Sequence, residues 1–317
     1  MTVDLVFNEL SFNPASATVQ QAIDKMSSFV DLVKDARLSG CGGLLRVPKN
    51  FRFEGLAPDY TVDHWLVDSR VDRDKRSYLG ALALKLPYFD GIPGSPAADR
   101  FDHSEFLIDG ERADGFGVSF LIDGIAISLF GEPPWSERFF SIIYRTIDEE
   151  SGQVVDSEVS IRHISKVGDA TLHLSEITDL RLMAIRNGRE LWDLSPEIFD
   201  RITFCAAVEP QMQGLTLGAG GLRTVIRTFR EIQAVCENWK VGSFDSAWIA
   251  KTSQEGPSTL NKYSAERTFT KPDGTDEVFS WHIKRGDLRI YFIPQADTHR
   301  FLVGYIGPHL PTVRFSG

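Results

Sequence analysis

The chain has 317 residues, 42% hydrophobic and 25% charged, enough for a sizeable core and for two domains of ordinary size. Its formal charge of −10 is unevenly spread: residues 258–317 hold eight Lys/Arg against six Asp/Glu, so the first 257 carry −12. That balance argues against general nucleic-acid binding by the body, and it suits either plain solubility or contact with a basic partner.

Residues 3–10 read as a short strand. Val19, Ala22, Ile23, Met26, Phe29, Val30 and Val33 then follow helical spacing, with Ser16 or Thr18 to cap the helix and Gly40 to end it. Residues 44–47 predict a strand, and 61–68 and 73–86 two helices. Nothing in this first unit, residues 1–90, requires a parallel sheet. Gly, Pro and Ser crowd residues 90–99, which read as a linker. Beyond it the period changes: 117–130 is apolar and interrupted by Asp123-Gly124, which predicts a hairpin burying Phe120, Ile122, Ile125 and Ile127. With 139–147, 154–164 and 171–174, residues 100–175 read as mostly antiparallel strands. Helical patterning returns over 176–250. It is strongest after Gly218-Ala-Gly-Gly221, where Leu222, Val225, Ile226, Phe229, Ile232, Cys236 and Trp239 share one face. A second polar break at 251–258 precedes a C-terminal β-meander. The expected class is α+β, in three parts: 1–90, 100–257 and 258–317.

Cys41, Cys205 and Cys236 lack any metal or redox spacing, which argues against a disulfide framework and a structural zinc site. No cofactor or metal is expected. The N-terminus has no basic region or cleavage pattern of a signal peptide, and the most apolar stretch, 117–130, is too short to span a bilayer. A cytoplasmic protein without membrane contact is the expectation.

Several residue groups bear on chemistry. Gly220, Gly221 and Arg223 open the strongest helix, where free N–H groups can hold an anion, although neither a P-loop nor a complete dinucleotide fingerprint is present. Asp68, Asp72 and Asp74 have the oxygen ligands of a Mg²⁺ site, but interleaved Arg70, Arg73, Lys75 and Arg76 make a self-paired helix start the simpler reading. His64, His103, His163 and His173 share no spacing, and only His103 has carboxylates close in sequence, Asp102 and Glu105.

The C-terminal segment carries the sharpest pattern. Residues 279–285 and 288–293 flank Gly286-Asp287, and Gly at the first loop position suits a type II′ turn. A two-residue loop sets Trp281 against Phe292 and Ile283 against Ile290 on one face. On the other, His282 faces Tyr291 and Lys284 faces Arg289. Two directly opposed cations repel, and a bound phosphate or carboxylate would turn that repulsion into attraction. Alternatively the face is simply wet, or acidic side chains of the body cover it. His309, between Pro308 and Pro311, can supply a second imidazole.

The run 287–292 with the following strand, 301–306, resembles the sheet of RelE/ParE-type toxins, which include ribosome-dependent mRNA nucleases, in a match that covers about the last 60 residues. That resemblance implies an antiparallel sheet cleaving RNA without metal, with Lys284, Arg289 and Tyr291 as the corresponding positions. In such a nuclease Lys284 and Arg289 stabilise phosphorane charge, His282 or His309 exchanges protons, and Tyr291 orients the group. The competing expectation is a non-enzymatic acidic antidote, immunity or interaction protein that caps a basic partner. An enzyme places these side chains around an open cleft; an antidote buries them and displays acid.

Overall fold

The computed structural model describes residues 3–12, 17–83, 87–88, 96–129, 133–148, 152–217 and 221–313. The protein is α+β, and its chain divides at Arg181/Leu182 into two compact units.

The first unit runs β1 (Leu5–Phe7), α1 (Val19–Leu38), β2 (Leu45–Arg46), β3 (Gly55–Ala57), β4 (Tyr60–Thr61), α2 (Val62–Val67), α3 (Arg73–Ala83), α4 (Pro96–Asp102), β5 (Ser104–Ile108) and β6 (Glu111–Arg112). It continues with α5 (Asp114–Leu121), β7 (Ile125–Ile127), β8 (Phe139–Ile147), β9 (Val154–Ile164) and α6 (Leu174–Ala184), whose residues from Leu182 on belong to the second unit. α1 begins as its sequence predicts: Thr18 and Gln21 form a capping box, and Gly40 follows the C-cap at φ 100°. The stripe from Ala22 to Val33 is buried.

One seven-stranded sheet, in the order β2-β1-β7-β9-β8-β5-β6, runs through this unit. β1 pairs in parallel with β2 and β7, and β7 with β9, whereas β9, β8, β5 and β6 are antiparallel. The expected separation of 1–90 from 100–257 therefore does not divide two sheets, because β1 and β7 are hydrogen-bonded neighbours. The linker expected at 90–99 lies largely outside the described residues.

The hairpin expected over 117–130 is a helix, a turn and a strand. Asp123, at φ 54°, and Gly124 do make the turn, but it joins α5 to β7. Tertiary contacts select the helix. Glu9 caps it by accepting from the Asp114 and Gly115 N–H groups at 2.5 and 2.8 Å. Glycines let it approach: a Cβ on Gly115 would lie 2.2 Å from the Phe7 carbonyl oxygen, and one on Gly117 2.2 Å from the Phe106 ring. Ile125 and Ile127 are buried as expected, while Phe120 and Ile122 are only half-buried.

The second unit contains α7 (Gly188–Ile198), β10 (Ile202–Phe204), α8 (Val208–Gln213), α9 (Gly221–Asn238), β11 (Thr252–Gln254), α10 (Pro257–Tyr263), β12 (Thr268–Thr270), β13 (Asp276–Val278), β14 (Trp281–Arg285), β15 (Leu288–Gln295) and β16 (Arg300–Gly307). Its sheet has the order β10-β16-β15-β14-β11. β10 is parallel to β16 and the other pairs are antiparallel, so the C-terminal meander extends at both edges into residues before 258. α9 buries the predicted face, from Leu222 to Cys236, in the core that also holds Ile283, Ile290 and Phe292.

Candidate functional site

The β14–β15 hairpin has the register its two-residue loop predicts: His282 opposes Tyr291, Ile283 opposes Ile290, and Lys284 opposes Arg289. Gly286 sits at φ 60°, the left-handed start that a type II′ turn requires. The two faces then diverge. Ile283, Ile290 and Phe292 join the core with α9, and Arg285 on the same face pairs with Glu231 of that helix and donates to the Ala250 carbonyl.

On the opposite face, His282 and Tyr291 are interior residues, 5% and 1% exposed, with their rings stacked at 5.1 Å. Their charge partner is Glu255. One of its carboxylate oxygens accepts from the Tyr291 hydroxyl at 2.7 Å and from Arg267 Nε at 2.9 Å, and lies 3.9 Å from His282 Nδ1. Arg267 is wholly buried, donates also to the Tyr263 and Pro311 carbonyls, and lies over the Tyr291 ring. Burial raises the Tyr291 hydroxyl, and hydrogen bonding to Glu255 adds to it. Burial also lowers His282 against the opposing pull of the Glu255 carboxylate, so its imidazole is neutral near pH 7. His282 and Tyr291 are thus packed around an internal ion pair and do not line an open cleft. Acid covers the His282–Tyr291 part of the face, and Glu255 supplies it.

Lys284 and Arg289 stay half-exposed. Arg289 Nη1 donates to the Gly286 and Leu288 carbonyls of its own hairpin, at 2.6 and 2.9 Å. His309 is exposed, two residues beyond the end of β16. Arg223 has a different role from the expected anion ligand. Its guanidinium donates to the Leu182 and Met183 carbonyls at the end of α6, at 2.9 and 2.8 Å, which accounts for a cation in the first turn of α9. Gly221 is the first residue of α9, and Gly220 lies outside the described residues. Asp68 is held by Arg70 and by the Tyr60 hydroxyl, and Asp72 accepts from the N–H groups of Asp74 and Lys75 at the start of α3.

Two groupings in the first unit had no signature in the sequence. Asn8, Ser128 and Ser165 each directly follow one of the parallel strands β1, β7 and β9. Asn8 Nδ2 donates to Ser128 Oγ at 2.9 Å, and Ser128 Oγ lies 2.7 Å from His163 Nε2. His163 Nδ1 lies 2.7 Å from the Glu137 carbonyl, so Nδ1 carries the proton and Nε2 accepts from the serine. Asn8, Ser128 and His163 are buried, and burial pushes His163 down to about 4. This has the bonding pattern of a Ser-His pair, but it is closed to solvent and satisfied within the core.

The second grouping is a surface. The outward positions of β8 are Phe139, Ser141, Ile143, Arg145 and Ile147, facing Arg162, Ser160, Glu158, Asp156 and Val154 of β9. The inward positions, including Phe140, Ile142 and Ile161, pack with α5 residues, whereas the outer face is largely exposed beyond Phe139, which packs against His173. A solvated face is ordinary for an antiparallel sheet, but alternation should then make it polar. Here Ile147 is 60% exposed and Val154, its cross-strand partner, 64%. Residues 102–160 also hold thirteen Asp/Glu against three Arg and no Lys, a net of −10 equal to that of the whole chain. A cleft of about 530 Å³ at the edge of the face is lined by Asp102, Glu105, Arg112, Arg145, Ile147 and Val154 among others, two arginines against two carboxylates.

Among the described residues no helix is long and apolar enough to cross a membrane. Compared with protein-family models, curated proteins and solved structures, the chain matches none.

Proposed function

We propose that the protein is a non-enzymatic interaction protein of the antidote type, and that the outer face of β5, β8 and β9 takes a basic protein partner. The carrying observation is that the stretch holding a net charge of −10 also builds a sheet with one largely exposed, partly aliphatic face. Exposed aliphatic side chains supply contact area, and the acidic excess of the stretch favours a cationic partner and steers its approach. RNA cleavage at the C-terminal sheet has less support. His282 and Tyr291 are buried, and the tyrosine proton is already committed to Glu255.

The test uses the full chain and an amphipathic Lys/Leu peptide, with an all-Lys peptide of equal charge as control. Binding of the amphipathic peptide should exceed that of the control and weaken at high salt. Glu158→Lys should weaken it about tenfold or more by juxtaposing like charges, and Ile147→Ser should remove the preference over the control. Both positions are exposed, so unfolding midpoints should barely move. Equal affinity of parent and Glu158→Lys for the amphipathic peptide would exclude this face as the interface.

A further inference from the structure

The pairing of β11 with β14 ends at Thr252, and Lys251 precedes it in a turn at φ 62°. Thr252 opposes Ile283, and the Lys284 N–H donates to the Lys251 carbonyl at 3.1 Å. Lys284 opposes Arg289, and Arg289 opposes Gly307. Lys284, Arg289 and Gly307 thus form one row across β14, β15 and β16, and the Lys251 turn adjoins it at Lys284: three cations, then a position without a side chain. Among the described residues no ion pair joins any of the three to a carboxylate. Other cations of this unit are treated differently, since Arg285 has Glu231 and Arg267 has Glu255. Asp287, in the turn itself, is exposed and makes no ion pair with the row.

Arg289 adds a directional feature. Its Nη1 is tied to two hairpin carbonyls, whereas Nε is shielded from water and has no acceptor. The Nε and Nη2 edge of a guanidinium is one that grips two oxygens of an oxyanion at once. A shielded donor beside two further cations is costly unless an acceptor sits there. On the β16 side Gly307 places no side chain of its own beside Arg289, and the Tyr305 ring edge occupies the space where its Cβ would be. Gly307 is kept small by the Tyr305 hydroxyl, which would lie 2.5 Å from a Cβ and which donates to the Pro308 carbonyl at 3.1 Å.

We infer that the cluster of Lys251, Lys284 and Arg289 is a binding site for a phosphate monoester dianion. Two negative charges match the cluster better than one. A tetrahedral phosphoryl group also has enough oxygens to meet the guanidinium edge and a lysine together, where a carboxylate is filled by the arginine alone. The site is separate from the acidic face of the first unit, so the two readings fail independently.

The experiment titrates the full chain with inorganic phosphate, with a 5′-phosphorylated RNA hexamer and with the same hexamer bearing a 5′-hydroxyl. Phosphate and the phosphorylated hexamer should bind, and the hydroxyl form markedly less. Arg289→Ala should weaken binding about tenfold, and Lys284→Ala and Lys251→Ala about threefold each, since lysine offers a point charge where arginine offers a fork. Arg289→Lys should fall between parent and Arg289→Ala, which guards against reading a folding defect as lost binding. Glu158→Lys should leave phosphate affinity unchanged. Equal binding of the two hexamers would overturn the monoester assignment, and unchanged phosphate affinity in Arg289→Ala, or none in the parent, would overturn the site.

Discussion

At Glu255 a single carboxylate oxygen answers both Arg267 and the Tyr291 hydroxyl, and all three side chains are shielded from water. Breaking one partner of a buried pair leaves the other charge uncompensated. Glu255→Gln should therefore lower stability by about 3 kcal/mol or more, read as a shift in denaturant midpoint at constant m. Replacing both Glu255 and Arg267 by apolar residues should recover much of that loss. A Gln variant as stable as the parent would mean that the pair contributes nothing to the fold. His163 contributes a pH dependence to the first unit, in the same direction as His173, which burial also lowers. The folded value of His163, about 4, lies below its ordinary 6.5, so the unfolded chain binds the proton more readily between those limits. The neutral imidazole contributes fully above pH 6.5, and about 3 kcal/mol is lost as pH falls through 4. Denaturation curves across that window should show stability falling with acid, and His163→Gln should flatten the slope. An unchanged slope in the variant would assign the acid sensitivity elsewhere.

Among the secondary elements, α5 shows best how packing overrides local pattern. Its residues alternate and are β-rich enough to read as a strand, yet they form a short helix capped by Glu9 and laid against Phe106. Gly117→Ala weighs two effects. Alanine gains up to about 1 kcal/mol in helix propensity, while a methyl group 2.2 Å from the Phe106 ring forces a shift costing about 1–3 kcal/mol. Phe106 has little room to yield, since it stacks on Phe101 and Tyr144 and touches Phe120. The variant should be net destabilised, whereas Gly256→Ala, with no atom within 4 Å of its Cβ and φ −71°, should be neutral by the same thermal measurement. The β14–β15 hairpin is the opposite case. Its register follows from Gly286-Asp287 and strand alternation alone, and every opposed pair from Trp281–Phe292 to Lys284–Arg289 agrees.

For the molecule as a whole, charge and connectivity are organised differently. Residues 182–317 carry sixteen Lys/Arg against fifteen Asp/Glu, leaving −11 on the first unit, nearly all of it within residues 102–160. A division at residue 257, with −12 and +2, shows the same contrast but counts the second unit's helices with the acidic body. What the sequence by itself determined is local: the α+β class, the cap and buried stripe of α1, the amphipathic face of α9, and the hairpin register that opposes Lys284 to Arg289. These depend on neighbours within a turn or across a short loop, where side-chain identity and spacing settle the conformation. The tertiary structure alone decided the parallel pairing of β1 with β7, the helical state of α5, and the meeting of Asn8 with Ser128 and His163. It also decided that Glu255 would lie against His282 and Tyr291. Each of these joins residues far apart in the chain. Such contacts are selected by burial and hydrogen-bond satisfaction in the assembled core, for which no local spacing in the sequence is a proxy.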